Sequence, residues 1–118
     1  MLRCLIVDDS ASFLEAAVSL LKREGMEVVG VASTGAEAEQ QARELRPDLI
    51  LVDILLGSED GIAVARRLAA SDGVGSVVLT STLAESDVAA MTGSKDNFAF
   101  VPKSAFSAEA IRGLLSET

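Results

Sequence analysis

Histidine is absent from this chain of 118 residues, and cysteine occurs once, at Cys4. The first absence excludes an imidazole general base, a Ser-His-Asp arrangement and the usual zinc ligands. The second excludes an internal disulfide and a thiolate metal site. Cys4 lies in the first apolar run and reads as a small buried strand residue. Tryptophan and tyrosine are missing too, and phenylalanine appears only 4 times, so the core must be aliphatic. Basic residues are outnumbered, 10 against 18 acidic ones, for a net charge of −8. That balance argues against direct nucleic-acid binding, which needs a basic face to neutralise phosphates. No apolar run approaches the roughly 20 residues needed to cross a membrane. The run at Leu2 to Val7 meets two aspartates too soon for a signal peptide. The expected protein is cytoplasmic, without membrane contact, and forms one domain over residues 1–118.

What is present is an alternation of two kinds of segment. Leu2 to Val7 is a near-continuous apolar run, the pattern of a strand buried on both faces. After a cap at Ser10 or Ser12, Leu14, Ala17, Val18 and Leu21 form one helical stripe, closed by Gly25. Glu27 to Val31 reads as a second strand. Thr34-Gly35-Ala36-Glu37 is a capping box for a helix that runs to about Leu45, ahead of Pro47. A third strand covers Asp48 to Val52, with Asp53 at its end. Gly57 and Gly61 punctuate the loop before a helix bearing Ile62, Ala65, Leu68 and Ala69. Ser76 to Thr80 or Ser81 is a fourth strand, followed by a helix through Glu85 to Met91. Phe98 to Val101 is a fifth strand, and Ser107 caps a last helix with Ile111, Leu114 and Leu115 inward. Five strands alternating with five helices predict an α/β fold, a doubly wound parallel sheet with helices on both faces and right-handed crossovers.

Chemistry gathers at one edge of that sheet. Strand one ends in Asp8-Asp9, strand three in Asp53, strand four in Thr80-Ser81, and strand five runs into Lys103. The carboxyl edge of a parallel sheet is where open α/β folds bind ligands, at the point where strand order reverses. Three carboxylates there repel one another, and a hard divalent cation with oxygen ligands, Mg2+ first, compensates them. Singly, each residue has a plain structural explanation: helix-dipole compensation for Asp8-Asp9, a turn for Asp53, a cap for Thr80 or Ser81. Their joint placement at one edge favours a site.

The ordered set Asp8-Asp9, Asp53 in Leu51-Val52-Asp53-Ile54, Val78-Leu79-Thr80-Ser81 and Phe98-Ala99-Phe100-Val101-Pro102-Lys103 resembles the receiver domains of two-component response regulators. The resemblance covers essentially the whole chain. It implies a flavodoxin-like sheet of order 2-1-3-4-5. It also implies that Asp53 accepts a phosphoryl group from the phosphohistidine of a sensor histidine kinase or phosphotransfer protein; with no histidine in the chain, that group sits on the partner. Mg2+ would be held by Asp8, Asp9, Asp53 and the backbone carbonyl of Leu55, with Lys103 and one strand-four hydroxyl on the phosphoryl oxygens. Adjacent strand residues point to opposite faces, so Thr80 and Ser81 cannot both face the site. Ser81, 22 residues before Lys103, matches receiver spacing and is chosen, with Thr80 as the alternative. Phe100 aligns with the aromatic switch of receivers, so that Ser81 and Phe100 would reshape the face formed by helix four, strand five and helix five. The resemblance implies that this face controls an output, transcription through a domain outside this chain, and allows a homodimer through it.

Two features depart from the pattern. Pro102 precedes Lys103 and Ser104 follows it, where many receivers have proline after the lysine, and Leu56-Gly57 stands where Met-Pro is frequent. The Pro-Lys-Ser form is similar to receivers joined to helix-turn-helix output domains. The resemblance implies a phosphoacceptor rather than an enzyme, any self-phosphorylation or autophosphatase chemistry being incidental. Leu55 and Leu83 are expected to flank the acceptor and limit attacking water. A haloacid-dehalogenase-like phosphohydrolase would carry Asp-x-Asp at the end of strand one, which Asp8-Asp9-Ser10 does not supply. A docking module without phosphorylation is disfavoured by the intact Asp8, Asp9, Asp53, Ser81 and Lys103. A nucleotide-binding Rossmann-like domain is disfavoured, since no glycine-rich turn follows strand one.

Overall fold

A computed structural model describes residues 2–71, 73, 75–82 and 98–116. Its first strand, β1 (Arg3–Val7), is buried from Cys4 onward and leads through Asp8 to α1 (Ala11–Arg23). Ser10 caps α1 by accepting from the Phe13 N–H, which decides between the two candidate serines. β2 (Glu27–Ala32) follows, one residue longer than its apolar run suggested. Thr34 then caps α2 (Gly35–Leu45) by accepting from Glu37 N–H. The Glu37 carboxylate returns to the N–H of Ser33 rather than of Thr34, so the box closes one residue further back. α2 ends where Arg46 takes a left-handed φ of 46°, just ahead of Pro47.

β3 (Leu49–Asp53) is buried along its whole length and includes Asp53, which the sequence placed just beyond the strand. Next come two short strands with no counterpart in the sequence reading, β4 (Leu55–Leu56) and β5 (Glu59–Asp60), paired antiparallel around Gly57 at φ 59°. Asp60 caps α3 (Gly61–Ala69) through the N–H groups of Ile62 and Ala63. β6 (Ser76–Ser81) and β7 (Ala99–Pro102) complete the main sheet, β7 lying one residue later than expected. A 3-10 turn over Lys103–Ala105 leads to α4 (Ala108–Ser116), where Ser107 accepts from Ala110 N–H. The helix expected over Glu85 to Met91, and Leu83, lie outside the described residues. Four α-helices are therefore described where five were expected.

The sheet order is β2-β1-β3-β6-β7, and every pairing in it is parallel. This is the predicted order 2-1-3-4-5, with the small ribbon inserted after the third strand. Strand alternation divides the core in two. Leu5, Val7, Ile50, Val52 and Leu79 pack toward Ala38 and Ala42 of α2 and Ile62, Val64 and Leu68 of α3. Cys4, Ile6, Leu49, Leu51, Val78 and Val101 pack toward Ala17 and Leu21 of α1 and Ala108 and Ile111 of α4. Two buried faces need two layers of helices, and they also explain why these strands read as continuous apolar runs. Cys4 is buried, and burial pushes its thiol up to about 12, leaving it inert.

Candidate functional site

The order reversal that defines the fold falls at β1, since its two neighbours are β2 and β3. Asp8 follows β1 directly. Its backbone N–H still bonds to Ala32 O at 2.9 Å, which holds the residue against β2 and keeps the carboxylate fully buried. One oxygen, Oδ1, accepts from Ser10 N–H at 2.9 Å; the other, Oδ2, sits 2.7 Å from Lys103 Nζ. Asp9, next along, is exposed. Asp53 is 5% exposed; its Oδ1 accepts from Leu55 N–H at 3.2 Å and its Oδ2 from Lys103 Nζ at 3.4 Å. Carboxylate oxygens of Asp8, Asp9 and Asp53 lie within 4.8 Å of one another.

Three carboxylates and one ammonium leave an excess of negative charge. Burial first, and the neighbouring Asp8 carboxylate second, raise the Asp53 pKa above its ordinary 3.8, against the opposing pull of Lys103 and the Leu55 N–H. The donor set is all oxygen, partly buried and short of positive charge. Such a set suits a small hard cation better than a soft one.

The remaining expected residues fall around this cluster. Leu55 follows the acceptor strand at 50% exposure and pairs with Asp60 across the ribbon. Thr80 and Ser81 are both buried at the end of β6. Thr80 stands in register with Asp53, whereas Ser81 stands in register with Pro102, one residue before Lys103. By alternation Thr80 shares the sheet face of Asp53, and Ser81 shares the face of Leu79 and Phe100. The Thr80 hydroxyl is buried without a hydrogen-bond partner among the described residues. Phe100 is partly buried against the α2–α3 core.

Sequence reasoning missed three contributors. Phe13, which the sequence reading did not single out, places its ring centroid 4.2 Å from Lys103 Nζ. Glu59 accepts from Gly35 N–H at 3.0 Å and ties the ribbon to the start of α2. Gly61 packs its Cα directly on the backbone carbonyls of Asp53 and Ile54. Asp60-Gly61 ahead of an apolar stripe was a legible capping signal; the two long-range contacts had none.

The model of the response regulator receiver domain matches residues 4–115, including Asp8, Asp53 and Lys103. The chain belongs to the response regulator receiver family. As a receiver domain it is 43% identical over 86 residues to the DNA-binding response regulator MtrA of Mycobacterium tuberculosis (strain ATCC 25618 / H37Rv), covering 73% of this chain and 37% of that protein. It is 40% identical over 85 residues to a protein-glutamate methylesterase/protein-glutamine glutaminase of Myxococcus xanthus, covering 71% of this chain and 24% of that one. Among solved structures, the receiver domain of the putative response regulator NarL from Mycobacterium tuberculosis superposes with a TM-score of 0.81 at 26% identity, over 98% of this chain and 94% of that one. The receiver domain thus spans well under half the length of either curated relative. Receiver domains take a phosphoryl group on an aspartate from a kinase or other phosphodonor, bind Mg2+ at an acidic pocket, and are generally not classed as enzymes. Asp8, Asp9 and Asp53 form such an acidic pocket. Among the described residues no helix is long and apolar enough to cross a membrane.

Proposed function

We propose that Asp53 is the phosphoacceptor of this receiver domain and that its modification changes which partner the domain engages. The observation that carries the reading is the contact of Lys103 Nζ with both Asp8 and Asp53. A partly buried ammonium shared by two carboxylates is placed to follow charge that develops at Asp53. An Asp53 oxygen attacks phosphorus, the phosphohistidine nitrogen of the kinase leaves, and an acyl phosphate forms on Asp53. Lys103 then turns from Asp53 to a phosphoryl oxygen. Asp8, Asp9, Asp53 and the Leu55 carbonyl are the groups that would hold Mg2+, which supplies positive charge to the transferring phosphoryl oxygens when bound. The Leu55 N–H keeps Asp53 oriented through Oδ1. The protein itself is a switch and not an enzyme, and it works in the cytoplasm.

Ser81 is taken first as the hydroxyl for a phosphoryl oxygen, because it ends its strand beside the one that leads to Lys103 and shares the sheet face of Phe100, although Thr80 is the residue on the face of Asp53. Its inward movement would draw Phe100 and alter the β7–α4 surface, the face through which a second copy or an output domain binds. A second reading rests on the Thr80 hydroxyl, in register with Asp53 and buried without a partner. A phosphoryl oxygen would relieve that unsatisfied donor, which costs about 1–3 kcal/mol. Ser81→Ala and Thr80→Val separate the two: the true ligand's loss slows modification, and the other's does not. The DNA-binding output of MtrA-type relatives extends to this chain as a proposal for the protein it serves.

The test is incubation with a small phosphodonor such as acetyl phosphate, with and without Mg2+, beside Asp53→Asn. Modification that requires both Mg2+ and Asp53 supports the reading. Mg2+ binding that survives without any modification, even from a histidine kinase, would leave only a docking module.

A further inference from the structure

Lys103 has an uncommon setting for so flexible a side chain. Its ammonium is paired with two buried carboxylates, and its side chain is only 15% exposed. The loop that carries it has Ser104 after it and no proline to stiffen that side. Two aromatic rings stand there instead. Phe13, on the first turn of α1, lies 4.2 Å from the ammonium, ring centroid to Nζ. Phe106, just past the 3-10 turn that begins at Lys103, meets Phe13 edge to face, with centroids 5.3 Å apart and planes at 77°. Half of the four phenylalanines of an aromatic-poor chain are therefore committed to one spot beside the site.

We infer that Phe13, braced by Phe106, is a positioning residue for Lys103: it holds the ammonium over the acidic cluster while the lysine exchanges a carboxylate for a phosphoryl oxygen. The inference rests on the reading of Asp53 as the phosphoacceptor. A ring face attracts a cation through its quadrupole and imposes no single direction on the N–H bonds. The ammonium can thus rotate from Asp53 toward a phosphoryl oxygen while the ring contact persists, which a hydrogen-bonding neighbour would resist. The ring also covers the cation from water, and a less hydrated ammonium acts more strongly on developing charge. Phe106 gives the ring a fixed orientation and anchors the loop end near the lysine. Phe13 touches neither donor nor metal ligand in this account and acts only through Lys103.

The experiment compares the full chain with Phe13→Leu, Phe13→Tyr, Lys103→Met and the double variant Phe13→Leu/Lys103→Met. Initial rates of modification by acetyl phosphate at saturating Mg2+ are read beside the Mg2+ dissociation constant and the NMR shifts of the Lys103 ε-methylene protons. Phe13→Leu slows modification about fivefold, the worth of one partly buried cation–π contact. It leaves Mg2+ affinity within about twofold and abolishes the upfield ring-current shift of the ε-methylene protons. Phe13→Tyr, which keeps the ring, restores the rate. In the Lys103→Met background the leucine change adds nothing, because the cycle isolates the pair. Should the leucine variant unfold, Phe13→Met, which preserves volume, is measured in its place. A rate within twofold of the parent, failure of the tyrosine to restore it, or the same loss with Lys103 already removed would overturn the inference alone. A parent chain that takes up no phosphoryl group would overturn the reading of Asp53 and this inference with it.

Discussion

Replacing two glycines by alanine should move stability in opposite directions, and the structure gives the size of each change. Gly61 opens α3 and donates its N–H to Ile54 O at 2.9 Å. A Cβ there would run into the carbonyl oxygen of Asp53 and stand 2.7 Å from that of Ile54. These are backbone atoms at the buried end of β3, so no side-chain rotation relieves the clash. Overpacking of this kind costs about 1–3 kcal/mol, and a backbone obstacle places Gly61→Ala toward the top of that range. At about 4 °C per kcal/mol for a domain of this size, the midpoint should fall by about 8–12 °C. The displaced carbonyls flank Asp53 and precede Leu55, so Mg2+ affinity should weaken as well. Gly113, inside α4, has nothing among the described residues within 4 Å of its Cβ position. Gly113→Ala there should gain about 0.5–1 kcal/mol from helix propensity, raising the midpoint by a few degrees. Urea and thermal unfolding of both variants in one buffer make the comparison. A Gly61→Ala protein as stable as its parent, with unchanged Mg2+ affinity, would refute the close approach of α3 to the acceptor strand.

Asp53→Asn should stabilise the metal-free protein near neutral pH. The folded pKa of Asp53 lies above its ordinary 3.8, so its ionised form is a cost to the fold above that folded value. The cost is relieved as pH falls through the folded value toward 3.8, and thermal melts of the two proteins should converge there; parallel curves would contradict this. Glu37 has the opposite sign, because hydrogen bonds from the Ser33 hydroxyl first, and then its N–H, hold its pKa below 4.5. Its contribution is complete above 4.5 and disappears as pH falls through the lowered folded value, so Glu37→Gln should be less stable at neutral pH and lose less on acidification. Leu55→Asn, placing a polar side chain at a half-exposed position beside the acceptor, should shorten the lifetime of the acyl phosphate; an unchanged lifetime would remove Leu55 from the control of attacking water.

Much of the fold was written in period and punctuation. β1 and β3 are buried on both faces, so their apolar runs stood out; alternation with helices gave a doubly wound parallel sheet, and its order came from the resemblance to receivers. Asp8, Asp9, Asp53 and Lys103 were legible for the same reason, since strand ends fix position in three dimensions. The ribbon of Leu55–Leu56 with Glu59–Asp60 was not, because two residues per strand carry no periodicity. The choice between Thr80 and Ser81 depends on register with β3 and β7, which residue counting alone does not determine. Phe13 was hidden for another reason. It falls outside the apolar stripe read for α1, and only the fold brings residue 103 above its ring.

Mapping the site of modification tests the central claim most directly. The chain is phosphorylated by acetyl phosphate with Mg2+, the acyl phosphate is reduced with borohydride, and the peptides are sequenced by mass spectrometry. One altered residue, at Asp53, is the result the account predicts. Modification at Asp8 or Asp9, or in Asp53→Asn to the same extent as in the parent, would contradict it.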